Sequence, residues 1–264
     1  MTNSTIQLVQ IEHDGPVTVV SIARPEKRNA VDGATARALY DAFMRFDADP
    51  TASVAVFTGL GSTFCAGADL KSLAAGDLAK IREVGGQNTP APMGPSRLRL
   101  SKPVIAAIEG YAVAGGMELA LWADMRIVAA DVIMGIFCRR FGVPLVDLGS
   151  IRLPRLIGHS RAMDLILTGR PVDAAEALAF GLANRVVAKG EARNAAIALA
   201  HQLAAFPQAC MRNDRRSALR QWDLSEDEAI VDEMQGGLQV IDSGETVAGA
   251  SNFAGGQGRH GSFN

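Results

Sequence analysis

Pro103-Val104-Ile105-Ala106-Ala107-Ile108-Glu109-Gly110-Tyr111-Ala112-Val113-Ala114-Gly115-Gly116-Met117-Glu118-Leu119-Ala120 is the stretch on which the reading of this chain turns. Residues 103–108 are a short apolar run of strand character behind a proline. A glycine-bounded turn follows, and Gly115-Gly116 leads into MELALWAD, which reads as a buried helix. A strand, a glycine turn and a helix in that order aim free backbone N–H groups and the positive end of a helix dipole at one point. An oxyanion placed there would be stabilised. Glu118 follows Gly115 by about one helical turn, so its carboxylate can share the side of those donors. Taken alone, the pattern also fits a helix N-terminus with a capping glutamate.

On the N-terminal side, residues 6–12 and 17–23 alternate in the strand manner around His13-Asp14-Gly15-Pro16, a hairpin signal. After the charged turn Arg24-Pro25-Glu26-Lys27-Arg28-Asn29-Ala30-Val31, Asp32 is expected to cap a helix reaching about residue 48. A third strand is expected over 53–58. It leads into Phe64-Cys65-Ala66-Gly67-Ala68-Asp69-Leu70-Lys71, whose small side chains let a ligand approach the main chain. Residues 76–95, rich in Gly, Pro, Asn and Gln, read as a mobile loop.

On the C-terminal side, 125–130 is strand-like and 135–149 is irregular. Helices are expected from about 150, over 159–167 and from an Asp173 cap to Gly181, followed by a strand at 185–188. Beyond 190 the pattern is helical throughout: 190–205, 208–222, 225–240 and 244–254. Strands alternating with helices and then helices alone imply an α/β core over 1–190 with a C-terminal helical region over 191–264. That region must bury an apolar face on its own core or on a neighbouring subunit.

The chain has 264 residues, 48% of them hydrophobic and 20% charged, with a net charge of −2. That balance gives no reason to expect nucleic acid or an anionic membrane as partner. No apolar run approaches the roughly 20 residues that span a bilayer, and no signal peptide is read at the N-terminus. Cys65, Cys138 and Cys210 are odd in number and far apart, which argues against a disulfide framework. The expected setting is the reducing cytoplasm. The four histidines lack metal spacing, so no metal is expected. Neither a nucleophile elbow nor a dinucleotide fingerprint is present.

Four blocks, RPEKRNAV, FCAGADLK, PVIAAIEGYAVAGGMELALWAD and LTGRPVDAAEALAFGLANRVV, together resemble the crotonase (enoyl-CoA hydratase/isomerase) superfamily in order and spacing, from about residue 6 to 255. The resemblance implies a spiral of ββα turns, assembled as a homotrimer or dimer of trimers through the C-terminal helices. It also implies an acyl-CoA substrate with no separate cofactor. The thioester oxygen would be held by the backbone N–H groups of Ala68 and Gly115, a pair of preorganised donors suited to a developing enolate. Lys27, Arg28 and Ala30 would line the CoA path, and Ala66, Asp69, Leu70 and Lys71 would lie near adenine and pantetheine. For Lys27 and Arg28 the plainer alternative is a solvated turn.

The chain departs from the family pattern at two places, the second glutamate position and the loop that follows it. Glu118 matches the first of two glutamates used by family hydratases, but the second position falls at Cys138, within Phe137-Cys138 instead of Pro-Glu. Asp147 is an added carboxylate in the next loop, close to where some members place an acidic catalytic residue. Three readings follow: Glu118 and Asp147 as an acid/base pair; Glu118 alone as a proton shuttle in an isomerase; or participation of Cys138 as a thiolate favoured by Arg139 and Arg140. The plainer alternatives are a loop or capping role for Asp147, a small buried hydrophobe for Cys138, and a structural pair or subunit contact for the arginines. Hydration of a trans-2-enoyl-CoA is the leading expectation, isomerisation the next, and CoA-thioester binding without turnover a third.

Overall fold

The computed structural model describes residues 7–76 and 84–258. Its strands are β1 (Val9–Asp14), β2 (Val17–Ile22), β3 (Val54–Gly59), β4 (Val104–Ile108), β5 (Tyr111–Val113), β6 (Met125–Ala129), β7 (Ile133–Gly135) and β8 (Arg185–Val187). The hairpin is present, with Val9 opposite Ile22 and Asp14 opposite Val17. Its loop is therefore Gly15-Pro16, and Gly15 takes φ +56. Six strands form one sheet in the order β1-β2-β3-β4-β6-β8, antiparallel only between β1 and β2, while β5 and β7 pair separately in parallel. Every residue of β2, β3 and β4 is buried, as expected for inner strands covered on both faces, whereas the edge strand β1 keeps a half-exposed pattern.

The helices are α1 (Gly33–Ala48), α2 (Leu70–Ala74), α3 (Gly115–Trp122), α4 (Gly149–Ile157), α5 (His159–Thr168), α6 (Ala174–Phe180), α7 (Ala192–Ala204), α8 (Gln208–Arg220), α9 (Glu226–Asp242) and α10 (Glu245–Ala254). Asp32 and Asp173 cap α1 and α6 as expected, accepting the N–H of Thr35 and Glu176. Two compact units are present, Met1–His201 and Gln202–Asn264. The division lies beyond residue 190 because most of α7 belongs to the first unit. Ala192, Ala196, Leu199 and Ala200 are buried, and the Glu109 carboxylate accepts the Gly190 and Ala192 N–H groups at the helix start.

An aromatic cluster sets the frame of the first unit. Phe43 of α1 meets Phe57 of β3 at 5.2 Å and Trp122 of α3 at 4.7 Å, and Phe57 meets Phe64 at 5.2 Å, all edge to face. Such pairs add about 0.5–1.5 kcal/mol each beyond their burial. They fix the loop after Phe64 against α3, which carries Glu118. The Trp122 Nε1–H donates to the Leu98 carbonyl at 3.0 Å, bringing the segment before β4 into the same frame.

The expectation of a mobile loop at 76–95 needs correction in part. Residues 77–83 lie outside the described residues, but the stretch from 88 onward is packed. Ala91 and Gly94 exchange backbone hydrogen bonds, Tyr40 Oη donates to the Asn88 carbonyl, and Met93 and Ser96 are buried. Part of the order comes from distant residues, Tyr40, Asp147 and Arg152, which hydrophobic periodicity does not register.

Candidate active site

The site begins where β5 runs into α3. Ala114, the N-cap of α3, adopts φ 53 and ψ −125, an uncommon conformation for a residue with a side chain. It turns the chain so that the first N–H of α3 leaves the sheet. A Cβ on Gly116 would overlap the Cys65 carbonyl, so the small residue lets the 65–69 loop lie against the helix start. That loop is held on both sides: Cys65 N–H donates to the Tyr111 carbonyl, and Val31 N–H to the Gly67 carbonyl. Gly67 has φ +95, and a Cβ there would stand 2.9 Å from the Ala114 Cβ and 3.0 Å from the Gly115 nitrogen. Ala68 and Gly115 are thereby adjacent. Among the described residues neither of their N–H groups has an acceptor.

Glu118 is 3% exposed on α3. Its Oε1 accepts the N–H groups of Asp147 and Gly149, each at 2.9 Å, while Oε2 has no hydrogen-bond partner among the described residues. These donors converge because Leu148 sits between them at φ 69, a left-handed N-cap for α4 that makes a small anion-binding nest. A Cβ on Gly149 would stand 2.8 Å from Glu118 Cγ and Oε1, so only glycine leaves the carboxylate its seat. Burial pushes the Glu118 carboxyl up to about 8 and the neighbouring Asp147 adds to the push; the two N–H donors pull the other way.

Asp147 is also buried. Its Oδ1 accepts from Met93 N–H at 2.9 Å and from the Ser96 hydroxyl. Burial raises its carboxyl, opposed by those two donors and by the Arg97 and Arg152 guanidiniums. Glu118 and Asp147 therefore occupy one wall with both carboxyls displaced upward by burial; Arg152 draws both down, Arg97 also lowers Asp147, and Asp147 raises Glu118.

Both line a cavity of about 260 Å³. Ala68, Gly115, Arg28, Ala66, Asp69, Leu70 and Cys138 line it too, so nine of the twelve residues singled out in the sequence meet here. Lys27, Ala30 and Lys71 are not among the lining residues. Lys27 pairs with Asp69 at 3.5 Å, the Ala30 carbonyl accepts from Arg24, and Lys71 donates its N–H to Asp69 Oδ1. Asp69 is itself engaged: it caps α2 and pairs with the buried Arg24, which also holds Asp32 at 2.9 Å. The far wall is apolar, with Phe137, Phe141, Val143 and Val146 around Cys138.

The expectation that Arg139 and Arg140 favour a Cys138 thiolate is corrected. Burial and the nearby Glu118 push this thiol up, outweighing Arg139. The two arginines bind the Ile166 and Gly169 carbonyls instead, and Arg140 lies over the Phe137 ring. Cys65, fully buried, is pushed up to about 12. Among the described residues no group of three metal-ligating side chains occurs, and no helix is long and apolar enough to cross a membrane.

The sequence reading passed over Met93, Ser96, Gly149 and Arg152. Met93 lay inside the expected mobile loop, and Ser96 directly after it. Gly149 was visible only as one more glycine, and Arg152 as one cation of an amphipathic helix. Arg24, which joins the caps of α1 and α2, had no local signal.

A family model described as enoyl-CoA hydratase/isomerase matches residues 12–254. An enoyl-CoA hydratase of Mycobacterium tuberculosis is 34% identical over 251 residues, 92% of each chain. A carnitinyl-CoA dehydratase of Proteus mirabilis is 40% identical over 200 residues, 75% of each. The crystal structure of an enoyl-CoA hydratase from Mycobacterium marinum matches this one with a TM-score of 0.87 at 36% identity, covering 94% of this chain and 95% of that one. The α/β fold expected from the sequence is the fold of these neighbours.

Proposed function

The chain belongs to the enoyl-CoA hydratase/isomerase family, and within it we propose that it hydrates a trans-2-enoyl-CoA to the 3-hydroxyacyl-CoA. One observation carries the reading: two buried carboxyls share a chamber with two adjacent backbone N–H groups, and among the described residues one oxygen of each carboxyl and both N–H groups lack hydrogen-bond partners. The names of the matched relatives, a hydratase and a dehydratase, support addition or loss of water.

In this mechanism the thioester oxygen accepts from the Ala68 and Gly115 N–H groups, which draws electron density from the conjugated double bond and makes its β-carbon electrophilic. Water attacks that carbon. Asp147, flanked by cations, is the carboxylate that takes the water proton. Charge collects on the thioester oxygen as an enolate, where the two N–H groups meet it without reorganising. Glu118, protonated up to about pH 8, gives its proton to the α-carbon. The pair then holds the same single proton as at the start, moved from Glu118 to Asp147, and returns it within the chamber. CoA enters as part of the substrate, with no further cofactor, along the side formed by Arg28, Ala66, Asp69 and Leu70, with Lys27, Ala30 and Lys71 beside it.

Assembly as a homotrimer or a dimer of trimers belongs to the same proposal. Ile230, Met234, Leu238 and Ile241, at helical spacing on α9, expose large apolar side chains that support it.

Loss of enoyl-thioester absorbance from crotonyl-CoA, with 3-hydroxybutyryl-CoA as product, tests the reaction. A migrated double bond with no hydroxyl product would assign isomerisation by Glu118. Binding of crotonyl-CoA with neither product would assign a thioester-binding role.

A further inference from the structure

Beyond the residues that meet substrate, the wall behind Asp147 is unusually well tied. Three hydrogen bonds join residues 93–96 to residues 147–152, and a fourth ties Arg152 to Asp147 within the second segment. Met93 N–H and the Ser96 hydroxyl donate to Asp147 Oδ1; Arg152 donates from Nη2 to the Ser96 carbonyl at 2.7 Å and from Nη1 to the Asp147 carbonyl at 3.4 Å. We propose that Ser96 and Arg152 are positioning residues, which orient the Asp147 carboxylate toward the chamber and keep it in register with Glu118. The proposal rests on the two-carboxylate reading above.

The physical argument starts from torsional freedom. An aspartate carboxylate held by one donor can still rotate about its last bond. Two donors on the same oxygen, from Met93 and Ser96, leave the other oxygen one direction. Arg152 closes the frame from behind, because it grips the main chain of both Ser96 and Asp147. It also stands on α4, whose first N–H, that of Gly149, donates to Glu118 Oε1. The same frame reaches the anion-binding side: a Cβ on Gly115 would stand 2.7 Å from Met93 Sδ, so the residue whose N–H binds Asp147 packs against the residue whose N–H faces the thioester. The charged and titratable groups around Asp147 and Glu118 include Arg97 from the 93–97 segment, Arg152 from α4, the Cys138 thiol facing Glu118, and the two carboxyls themselves.

A tie of purely mechanical function would lower stability alone; a positioning residue also moves kcat and the pH profile. In Ser96→Ala, crotonyl-CoA hydration is expected to lose about tenfold or more in kcat, with KM changed less than about threefold. The acid limb of its pH profile is expected to move to higher pH, because Asp147 loses a donor that favours its ionised form. If Ser96→Ala does not fold, Arg152→Lys, which keeps the charge with fewer donors, is read in the same way. A lowered melting temperature with kcat and the acid limb unchanged overturns the proposal. Glu118→Gln measured alongside separates the two levels. Unaltered turnover there removes the functional reading and this inference with it, whereas an inactive Glu118→Gln beside an unaltered Ser96→Ala removes only the inference.

Discussion

Two turns of this molecule use the same backbone device for opposite ends. At 114–115 and at 148–149 a residue with a side chain sits at positive φ, Ala114 at 53° and Leu148 at 69°, and each starts a helix whose first N–H groups face the chamber side. At the first turn the Gly115 N–H has no acceptor among the described residues. At the second, the Asp147 and Gly149 N–H groups are taken up by Glu118 Oε1. A helix N-terminus is thus a donor set whose use depends on what the fold has already placed against it. In the proposed mechanism the first receives the thioester oxyanion, and the second fixes the carboxyl assigned the proton transfer. Local strain of this kind is retained where the surrounding structure over-determines it.

The largest effect should come from removing the acid itself. Glu118→Gln keeps an Oε1 acceptor for the nest and loses the proton, so hydration of crotonyl-CoA should fall by about a thousandfold or more while crotonyl-CoA binding by calorimetry persists. Asp147→Asn keeps the acceptor for Met93 and Ser96 and should cost about a hundredfold in kcat. A loss under about threefold would return Asp147 to a wall residue and leave Glu118 alone.

Adding a single methyl at each turn sharpens the comparison. Gly67→Ala presses on Ala114 and the Gly115 nitrogen, so kcat should drop by about a hundredfold with the pH profile in place. Gly149→Ala presses on Glu118 instead. Its kcat should drop by about tenfold, and the alkaline limb should move to higher pH because the nest no longer favours the anion. Identical profiles for the two variants would erase the distinction between the turns.

The last effect is on stability. A carboxyl raised by folding contributes stability below its unfolded value near 4.5, and that contribution is lost as pH rises toward 8. Glu118→Gln has no such loss. By denaturant titration it should exceed the unaltered protein by on the order of 5 kcal/mol at pH 9, the gap closing below pH 4.5.

The arrangement that brings the Gly115 N–H and Glu118 together was legible in the sequence because it is built locally. A strand, a glycine turn and a helix carry the Gly115 N–H and Glu118 together, and the small residues around Gly67 mark the opposing loop. Helix caps at Asp32 and Asp173 were legible for the same reason, since each acts on a main-chain group three residues away. Asp147 was visible as a carboxylate but not as the hub of a frame, because its partners Met93 and Ser96 lie more than fifty positions earlier. Arg24 is similar: its contacts with Asp32 and Asp69 exist only once the loops have met. Cys138 could be aligned but not interpreted. Its surroundings, a buried apolar wall facing Glu118, decide that it stays a thiol.

The dependence of kcat/KM on pH for crotonyl-CoA hydration tests the central claim most directly, because it asks which protonation state of Glu118 does the work. The account predicts a profile that falls as pH rises past about 8, where Glu118 gives up the proton it must deliver. A rate that climbs through the same range would make Glu118 the base instead of the acid and contradict the division of labour with Asp147.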